Sequence, residues 1–159
     1  MKLIKGLFIR LLQIIAYFFP GAKSLRIILH RIRGVKIKKN VFIGQHVYID
    51  NTSPEKIYIG NNSQLSVNVI IISHFREIGL NKEYSVYIDD DVFIGVGVTI
   101  LPGVKIGKGS VIASGSVVST SMPEKSFIIG NPAIRKAIVQ KPLLINTPWS
   151  EFISGLKPL

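Results

Sequence analysis

Apolar residues recur in this chain every six positions. Ile88, Ile94, Ile100, Ile106, Ile112 and Val118 form an unbroken run, and a small or acidic residue follows each of them except at Leu101. Six is a multiple of the two-residue alternation of a strand, so each repeat supplies a short strand and a turn, with the aliphatic residue always on the inner side. Three repeats close one coil of a parallel β-helix, and coils stacked at about 4.8 Å lay each aliphatic over the next in a dry ladder. The same phase is present upstream at Ile43 and Ile49, and again at Ile59, Leu65 and Ile71. Two surplus segments interrupt it. Asn51, Thr52, Ser53, Pro54 and Glu55 read as a small loop on the first coil, and His74 to Ser85 as a large excursion. The pattern therefore predicts an all-β solenoid.

Three sections follow along the chain: a helical, basic segment over 1–40, coils over 41–130, and a tail over 131–159 that leaves the solenoid. Within the first, Lys2, Lys5, Gly6, Arg10 and Gln13 fall in an arc of about 140° on a helical wheel, and the intervening positions are apolar. Arg10 interrupts the apolar run and no small-x-small site precedes Lys23, which argues against a signal peptide. Three charges in a stretch barely long enough argue against a spanning helix. Two readings remain open: an interfacial amphipathic helix on an acidic membrane surface, or a cap on the open end of the solenoid. Ser24 to Arg33 also has helical spacing, and Gly34 stands where a helix C-terminus favours glycine. The tail, with Pro142, Pro148, Pro158 and Trp149, predicts an extended arm with one short helical turn, able to wrap a neighbouring subunit.

Composition narrows the chemistry. The chain of 159 residues is 47% hydrophobic, enough for one core. It has no cysteine, so disulfides and thiolate metal sites are excluded, and three scattered histidines make no metal site. The net charge of +11 calls for anionic partners. A phosphate-bearing cofactor or substrate and an acidic membrane surface fit better than nucleic acid, because no helix-turn-helix, zinc or aromatic stacking motif accompanies the charge. A cytoplasmic location, peripheral at the inner face of the membrane, is the matching expectation. Among the histidines, His74 opens the one long excursion from a regular coil and is the candidate general base. His46 lies at an outward hexapeptide position with no excursion beside it, and His30 lies in the helical section.

Three segments are more specific: Val86-Tyr-Ile-Asp-Asp-Asp-Val-Phe-Ile-Gly, Ile100-Leu-Pro-Gly-Val-Lys-Ile-Gly-Lys-Gly-Ser-Val-Ile, and the closing Ile129-Gly-Asn-Pro-Ala. Over about residues 34–138 the chain resembles the hexapeptide-repeat acyltransferases, in particular the maltose/galactoside O-acetyltransferase-like branch that includes polysaccharide O-acetyltransferases. The resemblance implies a left-handed parallel β-helix that uses acetyl-coenzyme A to acetylate a saccharide hydroxyl, with His74 as catalytic base. It also implies a homotrimer with sites between subunits. Phe93 and Val96 would line the thioester end, Gly95 or Val96 would offer an oxyanion N–H, Ser114 and Gly115 would meet the middle of the cofactor, and Ser119 the region near the nucleotide. Arg135 and Lys136 would meet the phosphates, or else belong to a solvated tail. Gln45, Asp50, Asn51 and Asn68 are the implied acceptor residues.

Two departures from the family pattern matter. Ser119-Thr120 replaces the usual threonine-lysine, which removes a cation, and the N-terminal helix is basic and apolar where maltose-type enzymes carry an acidic cap. The second points away from a free small sugar and towards a lipid-linked saccharide or nucleotide sugar in polysaccharide biosynthesis. N-acetylation of an amino sugar and a non-catalytic trimeric scaffold are the alternatives.

Overall fold

The computed structural model describes residues 2–74 and 85–159, apart from the side chains of residues 2, 3 and 5. Helices α1 (Lys2–Phe18) and α2 (Leu25–Ile32) precede the coils. The first coil contains β1 (Lys36–Ile37), β2 (Phe42–Ile43) and β3 (Tyr48–Ile49), and the second β4 (Ile57–Ile59), β5 (Gln64–Leu65) and β6 (Ile70–Ile71). The third contains β7 (Val86–Ile88), β8 (Phe93–Ile94) and β9 (Thr99–Ile100), and the fourth β10 (Lys105–Ile106), β11 (Val111–Ile112) and β12 (Val117–Val118). The chain closes with β13 (Ser126–Gly130), β14 (Ala133–Val139), the short helix α3 (Trp149–Ser154) and β15 (Leu156–Pro158). Because β1 already pairs in parallel with β4, the solenoid begins inside the segment assigned from the sequence to the helical section.

Among the described residues the strands form three faces: β1-β4-β7-β10, then β2-β5-β8-β11-β13 extended by β14 and β15, then β3-β6-β9-β12. All coil-to-coil pairings keep the register of the six-residue phase, as in Ile59 on Ile88 and Leu65 on Ile94. Each repeat in fact points two residues inward. Beside the expected ladder runs a second one two positions earlier, including Val41, Val47, Val69, Val92 and Val98, all essentially without exposure.

The turns explain the small residue after each inward aliphatic. A Cβ on Gly95 would come within 2.6 Å of Ser114 N, and one on Gly107 within 2.3 Å of Glu124 N, because the next coil crosses there. A further position in most repeats takes the left-handed conformation. It is held by Asn40, His46, Asn62, Asn68 and Asp91 in the early coils and by Gly97, Gly103, Gly109 and Gly115 later, residue types that tolerate positive φ. His46 is thus a corner residue, tilted against Tyr17 at 4.9 Å between ring centroids.

In the later coils, the carbonyl of an inward residue accepts an N–H from the preceding coil: Lys38 N–H reaches Ile59 O at 2.9 Å, Gly44 N–H reaches Leu65 O at 2.8 Å, and Asp50 N–H reaches Ile71 O at 3.0 Å. The first coil has no predecessor, and buried carbonyls without donors are costly. Its three equivalent carbonyls are taken by arginines of the helical segment: Ile37 O by Arg31 at 2.9 Å, Ile43 O by Arg26 at 2.7 Å, and Ile49 O by Arg33 at 2.7 Å. Gln13 of α1 adds a bond to Val47 O at 3.1 Å. The helices therefore cap the solenoid, and three of the cations that make the segment basic serve its backbone.

At the other end the tail does not leave the solenoid. Gly130, with φ of 109°, turns β13 into the antiparallel β14, and β15 pairs antiparallel with β14 in turn. Val139, Leu143 and the fully buried Phe152 then pack with Val111 over the second face.

Candidate active site

Residues 50–56, 72–74 and 85 lie at the edge between the third and first faces. Asp50 ends the first coil's third strand and His74 leaves the second coil directly above it. Asp50 has no exposure, and its Oδ2 accepts the Ser73 N–H and the His74 N–H, each at 2.8 Å, and the His74 ring Nδ1 at 2.5 Å. Its Oδ1 accepts the Thr52 N–H at 2.9 Å. Burial by itself would raise this carboxyl, but the bonds from Thr52, the His74 ring, Ser73 and the His74 amide outweigh it and hold it at about 2. An ionised carboxylate only accepts, so His74 Nδ1 carries the hydrogen, and in the neutral ring the lone pair is on Nε2. Half of the His74 side chain is exposed at this edge.

The turn holding Asp50 is tied to the capping helices. Arg33 is 3% exposed, and its Nη2 donates to Ile49 O, to Asp50 O at 2.9 Å and to Asn51 Oδ1 at 2.9 Å. Its Nη1 donates to Gln13 Oε1 at 2.5 Å and meets His30 Nδ1 at 2.7 Å. Burial lowers Arg33 to about 10, against the pull of Tyr48 and Asp50, so it stays charged at neutral pH. His30 is fully buried and lowered to about 3 by burial, Arg33 and Arg26, which keeps it neutral as an acceptor for Arg33. Sequence reasoning missed this network. The arginines at 26, 31 and 33 counted there only as charge, and nothing local marks them as partners of carbonyls 37, 43 and 49.

The remaining candidates divide between two edges. Asp50, Asn51, His74 and the exposed Ser119 share the edge between the third and first faces. Gln45, Asn68, Gly95, Val96, Ser114 and Gly115 share the edge between the second and third faces, linked by Asn68 N–H to Gln45 O at 3.1 Å and Gly115 N–H to Val96 O at 2.8 Å. Within one chain the two groups stand on opposite sides of the third face.

The packing gives four of these expectations a definite setting. Asp50 is enclosed and spends its carboxylate on His74 and its neighbours, so it offers no surface to an acceptor. Phe93 is half-buried against the cluster of Val111, Val139, Leu143 and Phe152. The Gly95 N–H is used by Ile112 O at 2.9 Å and the Val96 N–H by Ser114 Oγ at 3.1 Å, so only Val96 can be released, by rotation of one hydroxyl. Arg135 and Lys136 lie on β14 and not in a free tail, and Arg135 Nε is buried with no hydrogen-bond partner.

The coils define a class of fold: a left-handed parallel β-helix built on a six-residue repeat. Residues 85–120 match the family model described as bacterial transferase hexapeptide (six repeats), the segment that contains the unbroken run. Among solved structures, the chain is similar to a maltose O-acetyltransferase from Clostridium difficile 630, at 23% identity and a TM-score of 0.59, over 87% of this chain and 88% of that one. A galactoside acetyltransferase in complex with coenzyme A matches at 23% identity and a TM-score of 0.59, over 83% and 79%. A hexapeptide-repeat containing acetyltransferase from Vibrio cholerae O1 biovar eltor, complexed with acetyl coenzyme A, matches at 20% identity and 0.58, over 83% and 85%. No curated protein matches the sequence.

Proposed function

We propose that the chain transfers an acetyl group from acetyl-coenzyme A to a hydroxyl of a saccharide, with His74 as general base. The observation that carries this reading is the bond from His74 Nδ1 to the buried Asp50, which in the neutral ring assigns the lone pair to Nε2 of a half-exposed side chain. As the acceptor oxygen bonds to the thioester carbonyl carbon, Nε2 takes its proton, and when the carbon–sulfur bond breaks the imidazolium returns a proton to the departing thiolate. Asp50 fixes the ring tautomer and offsets the transient charge.

Acetyl-coenzyme A supplies an acetyl group already activated as a thioester. The residues present suit it. Beside Gly97 and Gly115 the space that a Cβ would fill is open, so an extended arm can approach the backbone, and the orphaned Nε of Arg135 is a donor suited to phosphate. Structures of the same fold hold acetyl coenzyme A or coenzyme A, which supports the same donor here. Because the His74 edge and the glycine edge flank the third face, a cyclic homotrimer pairing one chain's His74 edge with the next chain's glycine edge would complete three sites.

The test is release of free thiol from acetyl-coenzyme A with a panel of sugars, amino sugars, nucleotide sugars and lipid-linked saccharides. Wild type is expected to show acceptor-dependent release that falls about 10²-fold or more in His74→Ala and about tenfold or more in Asp50→Asn. Turnover confined to amino sugars would move the reading to N-acetylation. Absence of both turnover and calorimetric binding of the donor would overturn it in favour of a scaffold.

A further inference from the structure

The capping helices are amphipathic in the inverse sense. α1 turns Leu12, Gln13 and Ala16 towards α2 and the first coil, with Leu12 and Ala16 packed on Leu29 and Gln13 bonded to Val47 O. The opposite side faces solvent. Leu7, Leu11, Ile14 and Phe18 of α1, with Ile28 and Ile32 of α2, are between 52% and 70% exposed. An apolar surface of this extent on a polar-rimmed protein marks an interaction site.

The charge around it selects the occupant. Ten Lys and Arg and no Asp or Glu precede Asp50, whereas the rest of the chain carries ten Lys and Arg against nine Asp and Glu. Nearly all of the net +11 therefore belongs to the first coil and its cap. Arg26, Arg31 and Arg33 are committed to carbonyls, while Arg10 and Lys23 are exposed beside the apolar surface. A second copy would bring two acid-free cationic ends together, and nucleic acid would leave the leucines and isoleucines in water. An anionic bilayer answers both features, with acyl chains for the apolar side and headgroups for the cations. Among the described residues no helix is long and apolar enough to cross a membrane. The helices would thus lie flat in the interface.

We propose that the outer face of α1 and α2 docks the protein on an anionic lipid surface. His74 leaves the second coil and the helices cover the first, so by strand spacing and helix diameter the base stands on the order of 20 Å from the docked face. Resting on the acetyltransfer reading, this places the acceptor at the membrane surface, as a saccharide carried on a lipid.

The experiment uses the full chain and sedimentation with vesicles of phosphatidylcholine, with or without phosphatidylglycerol. The bound fraction should be about tenfold higher on the anionic vesicles and should fall as salt is raised. A Leu7→Gln, Leu11→Gln variant, with its fold checked by circular dichroism, should lose about tenfold in binding, and Arg10→Gln with Lys23→Gln should remove the preference for phosphatidylglycerol. The Leu7, Leu11 variant should release thiol with a soluble acceptor at the wild-type rate. Failure of wild type to bind anionic vesicles at low salt, binding that survives the leucine changes, or a lower oligomeric mass in that variant would overturn docking. In each of those cases acetyl transfer is untouched. Vesicle binding without thiol release from any acceptor would sink the acetyltransferase reading and leave docking standing.

Discussion

The two ends of the solenoid meet the same problem with different materials. At the first coil the inward residues' carbonyls point to where a preceding coil would be, and long side chains from α1 and α2 supply the donors. At the last coil the chain continues as its own partner, through β14 and β15 and the Phe152 cluster. A backbone cap is an extension of the sheet and tolerates most side chains. A side-chain cap buries cationic and titratable groups, and it couples the end of the fold to the turn that holds Asp50 and His74. The N-terminal end should therefore be the chemically sensitive one.

Acid gives the largest contrast. His30 titrates at about 3 when folded and ordinarily at 6.5, so below 6.5 the unfolded chain binds the proton that the folded chain refuses. Stability contributed by neutral His30 is complete above pH 6.5 and declines towards pH 3, by roughly 5 kcal/mol. Asp50, lowered from 3.8 to about 2, adds a loss of the same direction as pH falls between those values. Denaturant titration at stepped pH and fixed protein concentration should show this slope, and His30→Gln should flatten it above pH 4. A slope unchanged in that variant would mean that another group controls the acid limit.

Arg33→Met comes next. It leaves Ile49 O, Asp50 O and Gln13 Oε1 without their donor and should cost about 4 kcal/mol in urea. It should also lower thiol release, because the Asp50 turn loses its anchor. Phe152→Ala breaks the opposite end, should cost about 3 kcal/mol by opening a cavity, and should leave the pH slope unchanged. Arg31→Met is the smallest, under about 1 kcal/mol, since Arg31 is exposed and water can replace it at Ile37 O. If Arg31 and Arg33 were equally costly, burial would not be what distinguishes the caps.

Much of the coil was legible because its signal is local. An inward aliphatic every six residues, a small residue after it, and the surplus at 51–55 each follow from strand alternation and turn sterics within one repeat. The second inward ladder escaped notice because Ser63, Ser110 and Ser116 interrupt its valines. His74 was legible as the residue that opens the excursion; residues 75–84 of that excursion lie outside the described residues. The partnership of His74 with Asp50 was not legible, since it joins two coils across 24 positions.

The sequence by itself determined the repeat, the phase of the core and where the long excursion opens, since each is written in spacings of a few residues that sterics and hydrophobic burial read directly. Tertiary structure alone decided what the basic segment does. What Arg26, Arg31 and Arg33 of α2 and its C-cap do depends on the carbonyls of Ile43, Ile37 and Ile49, backbone groups present in every sequence. Their need for donors arises only when the first coil closes with no coil before it.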